Sequence, residues 1–151
     1  MARYKFIVSG DILSKKNSYR AVLNAGILRF ILRCIRESKT LTLKDLNKFC
    51  KLLPSEKYKK WEKAITDEIV KQTSGNLFLG RVEIWFTIYF PKRGIAGGDM
   101  DNKCTSLLDV LKKAGVIMDD SYNCVCKSHQ EGIYRLGNGG AEIIIKDLTD
   151  D

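Results

Sequence analysis

Residues 81–90 read RVEIWFTIYF, and their alternation decides the fold class. Val82, Ile84, Phe86, Ile88 and Phe90 fall on one side and Glu83, Trp85, Thr87 and Tyr89 on the other, the period of a strand with one face in a core. Pro91 ends the run, because proline has no N–H for a ladder. Upstream, Tyr4, Phe6 and Val8 alternate with Lys5 and Ile7 in a first strand that stops at Gly10. Downstream come a strand near Asn123 to Lys127, a Gly-rich turn and a last strand, AEIIIKDL, at 141–148.

Between the strands the period changes to that of a helix. From Ala21 to Glu37 a stripe of Ile27, Leu28, Ile31, Leu32 and Ile35 predicts a helix with Arg29, Arg33 and Arg36 opposite. Thr42 and Asp45 resemble a capping box for a short helix carrying Leu43, Leu46, Phe49, Cys50 and Leu53. After Pro54, Ser55 is the expected N-cap of SEKYKKWEKAITDEIVKQ, with Tyr58, Trp61, Ile65 and Ile69 on its apolar side. Ser74-Gly75-Asn76 signals a turn. Helices and strands interleave and two strands stand adjacent at the end. The expected fold is therefore α+β: a two-layer sandwich, one domain over 1–151, with helices on one face of a mostly antiparallel sheet and a helical insertion at about 21–53.

The chain has 151 residues, 44% hydrophobic and 29% charged, enough to bury a core without staples. Arginines interrupt its most apolar stretch, and MARYKFIVSG lacks the pattern of a signal peptide, so a cytoplasmic chain with no membrane span is expected. Five cysteines with no framework spacing read as reduced thiols, three of them on apolar helix faces. Cys124-x-Cys126 followed by His129 lacks the partner pair that structural zinc needs. Residues 1–98 hold 20 Lys or Arg against 8 acids, whereas residues 99–151 hold 6 against 10. A basic body suits a polyanion, nucleic acid above all, although a soluble Lys-rich surface would read the same way.

The acidic part begins with GGDMDNKC at 97–104. Asp99 and Asp101 follow a glycine pair and open a helix whose buried stripe is Cys104, Leu107, Leu108, Leu111 and Ala114, with Gly115 as its stop. Asp101 falls at or next to the N-cap, where the helix dipole favours a carboxylate; Asp99 has no such role. Asp119 and Asp120 return just beyond this helix. Converging carboxylates must be solvated, protonated or bridged by a cation. Four acids at element ends in a basic protein fit a hard divalent cation, Mg²⁺ or else Mn²⁺, and a metal among lysines suits phosphodiester hydrolysis. A single histidine argues against a triad or a His-rich centre.

GDMDNKCTSLLDVLKKAGVIMDD resembles the signature of the RusA family of Holliday junction resolvases: a D-x-D-N opening a helix, a D-x-L, a Gly turn and a D-D. LSKKNSYR and SEKYKKWEKAI are similar to that family's first loop and following helix. The resemblance implies a homodimeric, Mg²⁺-dependent endonuclease, bacterial or phage-encoded, that nicks branched DNA at four-way junctions in recombination and repair. It assigns catalysis and metal binding to Asp99, Asp101 and Asp120, with Asp119 and Asn102 in support.

Candidate DNA contacts are Lys15, Lys16 and Asn17 in the first loop, Lys57 and Lys60 on the Ser55 helix, Lys92 and Arg93 before the motif, and Asn102. Trp61 and Trp85 read as core, and Asp109 and Lys113 as an i, i+4 surface pair. Where the family pattern has a lysine, three residues after the asparagine, this chain has Thr105. Lys103 lies on another side of the helix wheel and Lys112 about 10 Å further along the axis; Lys92 and Arg93 are the better replacements. The alternatives are a junction-binding protein with weak or no catalysis, and a metal-dependent nuclease on other nucleic acids.

Overall fold

The computed structural model describes residues 2–24, 26–48, 50–73, 79–93 and 98–149. Four strands form the main sheet: β1 (Arg3–Ser9), β4 (Val82–Phe90), β5 (Val125–Tyr134) and β6 (Gly140–Asp147). Their spatial order is β1-β6-β4-β5. β6 runs antiparallel to both β1 and β4, and only β4 and β5 are parallel. The alternation of RVEIWFTIYF holds along most of β4: Val82, Ile84, Phe86 and Ile88 are buried, whereas Phe90 is only partly buried and Glu83, on the other face, is also buried. Phe6, Ile143 and Phe86 make one row across three strands. Each such side chain contributes about 1.5–3 kcal/mol on burial.

Helices α3 (Glu56–Gln72) and α4 (Met100–Lys113) cover that face, contributing Ile65 and Ile69, and Leu107, Val110 and Leu111, to one core cluster. This is the expected α+β layering. Ser55 caps α3 by accepting the Tyr58 N–H at 3.2 Å. Gly115, at φ +70°, stops α4 in the left-handed conformation that glycine tolerates. The opposite sheet face carries Trp85, stacked on His129 with ring centroids 4.9 Å apart. Trp61 packs against the core cluster.

The segment from 19 to 54 departs from expectation. Tyr19–Leu23 (β2) and Cys50–Pro54 (β3) pair as a separate antiparallel ribbon, with α1 (Gly26–Arg36) and α2 (Leu43–Asn47) between them. The predicted helices from 21 and to 53 each give up a turn or more to a strand, because a partner strand satisfies the backbone there. The Thr42–Asp45 contact does form: the Asp45 N–H donates to Thr42 Oγ1 at 3.3 Å and the hydroxyl to Asp45 Oδ2 at 2.6 Å. Of the stripe predicted there, Leu43 and Leu53 are 80% and 40% exposed and Cys50 is exposed on β3, so these three are not core. Phe49 and the Ser74–Asn76 turn lie outside the described residues. β5 also runs further than the strand expected near 123–127, through the His129 segment to Tyr134.

Candidate metal and nucleic-acid site

α4 is positioned by contacts at its first turn. Gly132 on β5 has no side chain, and a Cβ there would meet Met100 Cε at 2.9 Å, so the glycine lets the start of α4 lie against the sheet. Gly98 adopts φ +84°, a conformation that favours glycine. Gly97 lies outside the described residues.

The N-cap of α4 is Asp99, with extended backbone, and Asp101, expected at or next to the cap, stands two residues further on. Its carboxylate does not cap a backbone amide; Oδ2 accepts the Asn102 side-chain amide at 2.9 Å. Asp101 stands in the first turn, exposed, with no hydrogen bond or ion pair to its carboxylate among the described residues. Asp99 is thus the residue tied at the helix start, and Asp101, which the helix dipole favours in the first turn, keeps its carboxylate oxygens open to solvent. Thr105 donates its hydroxyl to the Asp101 carbonyl at 2.8 Å, so the position where a lysine was expected is folded back on the helix.

Lys103 was read as lying away from the acids, and it is indeed buried, at 4% exposure. Its ammonium donates to Asp11 Oδ1 at 3.0 Å and to the Ile12 carbonyl at 2.7 Å, and lies 5.0 Å from the Phe90 ring centroid. Sequence reasoning missed this tie, although the wheel puts Lys103 in the same sector as Leu107, Val110 and Leu111. Buried Ser106 continues it, accepting the Lys15 N–H at 3.0 Å and donating to the Asn102 carbonyl. Lys15 then pairs with Asp109 at 2.8 Å, and that hydrogen bond raises its pKa. The first loop is in effect zipped along α4.

This zipper sorts the candidate DNA contacts. Lys15 is spent on Asp109, which replaces the expected Asp109–Lys113 pair; Lys113 binds Glu62 of α3 instead. Lys16 and Asn17 remain exposed at a single 3-10 turn beside it. Lys57 and Lys60 are exposed on α3, whereas Lys59 is bridged to Glu56 at 3.1 Å. Lys92 and Arg93 line a hollow of about 590 Å³ together with Phe90, Gly98, Met100 and Tyr134. Arg93 lies over the Tyr134 ring, 4.4 Å from its centroid. That hollow abuts Asp99 and Asp101 in sequence on both sides of Met100, and its aromatic lining is a second feature the sequence reading did not find.

The other acids sit beyond the far end of α4. Lys112 Nζ is 2.9 Å from Asp120 Oδ1 and 3.7 Å from Asp119 Oδ1. Asp119 also accepts the Asp120 N–H at 2.9 Å, and this bond, with Ser121 and Lys112, holds its carboxyl below the usual range. The partner Asp120 raises the Lys112 pKa in turn. A helix of 14 residues is about 21 Å long, and among the described residues no three His, Cys, Asp or Glu side chains converge. Asp99 and Asp101 alone still suit Mg²⁺, which takes one or two carboxylates and completes its shell with water and substrate phosphate oxygens. Cys124 is buried and His129 is turned to Glu83 at 2.9 Å, so the two do not form a metal half-site.

No helix among the described residues is long and apolar enough to cross a membrane. No curated protein matches the chain. The family model for endodeoxyribonuclease RusA matches residues 42–146, a span that begins inside the segment read as an insertion and takes in α3, α4, all four candidate acids and most of the main sheet. With the acid-headed helix, the covered sheet and this match over more than two thirds of its length, the chain belongs to the RusA endodeoxyribonuclease family.

Proposed function

We propose that this protein is a Mg²⁺-dependent endonuclease that hydrolyses phosphodiesters in four-way and other branched DNA junctions, acting as a homodimer. The observation that carries the reading is the free Asp101 carboxylate beside Asp99 at the start of α4, next to a hollow rimmed by Lys92 and Arg93. Asp99 and Asp101 would hold the ion, which when bound supplies a Lewis acid and an activated water. The protein's own residues do the rest. Asn102 fixes the Asp99 carboxylate, Lys92 and Arg93 bind the phosphate to be cut, and Lys16, Asn17, Lys57 and Lys60 follow the flanking backbone.

A dimer answers the separation of the acids. Asp101, Thr105, Leu108 and Lys112 share one sector of α4. Two copies packed there in opposite directions would bring Asp119 and Asp120 of one toward Asp99 and Asp101 of the other, through an isologous contact. The second reading, a junction-binding protein with weak catalysis, is favoured by Thr105: its hydroxyl is engaged, Lys103 is buried and Lys112 is paired. Cleavage of a synthetic four-way junction with Mg²⁺ or Mn²⁺ tests the proposal. Asp101→Asn should lower the rate by about 10³-fold; equal rates in the two proteins would end the metal reading. Tight, salt-sensitive binding without nicking by the wild type would select the second.

A further inference from the structure

Helix α1 is amphipathic in an unusual way. Its Cys34 side is buried, but Leu28, Leu32 and Ile35 are 65%, 56% and 67% exposed. At 100° per residue these three fall in one sector, and Arg29, Arg33 and Arg36 fall in the next. All three arginines are exposed, and none is in an ion pair among the described residues. The helix contains no acid. Residues 19–54 hold eight Lys or Arg against two acids, a net +6 of the chain's +8 in under a quarter of its length.

Charge decides among the possible occupants of this apolar stripe. A second copy of α1 would offer leucines but no carboxylate within the helix, leaving Arg29 and Arg36 of each copy unanswered, with Glu37 just beyond the helix within electrostatic reach of Arg33. A polyanion answers them, and branched DNA offers something duplex DNA does not: at the branch point, base-pair faces lose their stacking neighbours and expose flat apolar surface. Leucine and isoleucine side chains are known as wedges against unstacked bases, and arginines beside them hold the phosphates. The stripe from Leu28 to Ile35 is about 10 Å long, enough to cover such a face.

We infer that α1 is a branch-sensing wedge: Leu28, Leu32 and Ile35 pack on the exposed base faces of a DNA junction while Arg29, Arg33 and Arg36 neutralise the adjoining phosphates. The inference rests on the junction reading proposed above. It goes beyond it because α1 lies outside the residues matched by the family model.

The test uses the full chain without divalent metal and a junction carrying 2-aminopurine at the branch, with a duplex of equal length alongside. Because all six side chains are exposed, Gln replacements spare the fold. L28Q/L32Q/I35Q should abolish the fluorescence rise at the branch and cut the junction-over-duplex preference at least tenfold, with the salt slope unchanged. R29Q/R33Q/R36Q should instead reduce the slope of log K against log salt by about 3 on both DNAs. Wild-type fluorescence and slope in both variants, a stripe variant that falls from dimer to monomer, or a stripe effect seen only on anionic vesicles would each overturn the wedge. Cleavage by the wild type is measured in parallel: a wild type that cuts junctions while both variants behave normally sinks the wedge alone, and one that neither binds nor cuts junctions sinks the functional reading as well.

Discussion

The two ends of α4 each carry a pair of aspartates and treat them in opposite ways. At the C-terminal end, Asp119 and Asp120 are answered within the chain by Lys112, by a backbone N–H and by Ser121. At the N-terminal end the only side-chain partner is an amide, Asn102, and Asp101 has none among the described residues. The nearest lysine, Lys103, turns away from them into the core. The comparison teaches that a carboxylate's neighbours say more about its task than its position in a motif: the C-terminal pair is held by partners in its own chain, whereas the N-terminal pair stands open to solvent, where the metal role proposed above would place its ion.

The largest expected effect would break or sharpen that contrast through the proposed dimer. Asp101→Asn and Asp120→Asn should each lower junction cleavage by about 10³-fold if both ends serve one chemistry. If each site takes Asp101 from one copy and Asp120 from the other, mixing the two inactive variants regenerates intact sites. Random pairing then restores about a quarter of wild-type sites. No recovery on mixing means that the pairs act within one chain. An Asp120→Asn protein of full activity would leave the C-terminal pair purely structural.

Much of this was legible in the sequence and some was not, for definable reasons. The alternation of 82–90, the Ser55 cap and the Gly115 stop rest on local rules, and the structure obeys them. The β2–β3 ribbon was missed because its pairing joins residues about thirty positions apart, Tyr19 with Pro54 and Leu23 with Cys50, and the helical period of Ile27 to Ile35 masked the strand before it. The cap lies two residues before Asp101, because spacing places a helix end only to within a residue or two. The Lys103–Asp11 tie spans 92 positions, and a lysine on an apolar stripe looks like an error until its partner is known.

That tie gives the next effect in size. Lys103→Met keeps the volume but leaves the buried Ile12 carbonyl without its donor, at a cost of about 2 kcal/mol and a Tm lower by about 4–8 °C. Lys112→Met, at the other end, should change Tm far less, because its partners are exposed. Equal losses in thermal unfolding would mean that the two lysines are not as different as their burial says. A smaller effect, on rate, is expected from Thr105→Lys: a cation restored beside Asp101 should raise cleavage about tenfold. An unchanged rate would show that Lys92 and Arg93 already supply that charge.

The smallest effect is a pH dependence confined to the C-terminal end. The Asp119 carboxyl is held below its ordinary range in the folded chain, so its stabilisation is complete above the unfolded pKa of about 3.9 and disappears as pH falls through the lower native value. Lys112 is shifted upward, so its contribution is complete below about pH 10.4 and is lost as pH rises through the higher native value. Between those limits the pair contributes a constant increment. Asp119→Asn keeps an acceptor for the Asp120 N–H and removes only the charge. Its Tm should therefore run parallel to the wild type from about pH 5 to 9, and the two curves should meet in acid. A gap that stays constant as the pH falls would assign the acid limb to other carboxylates and remove the satisfied pair from one side of the comparison.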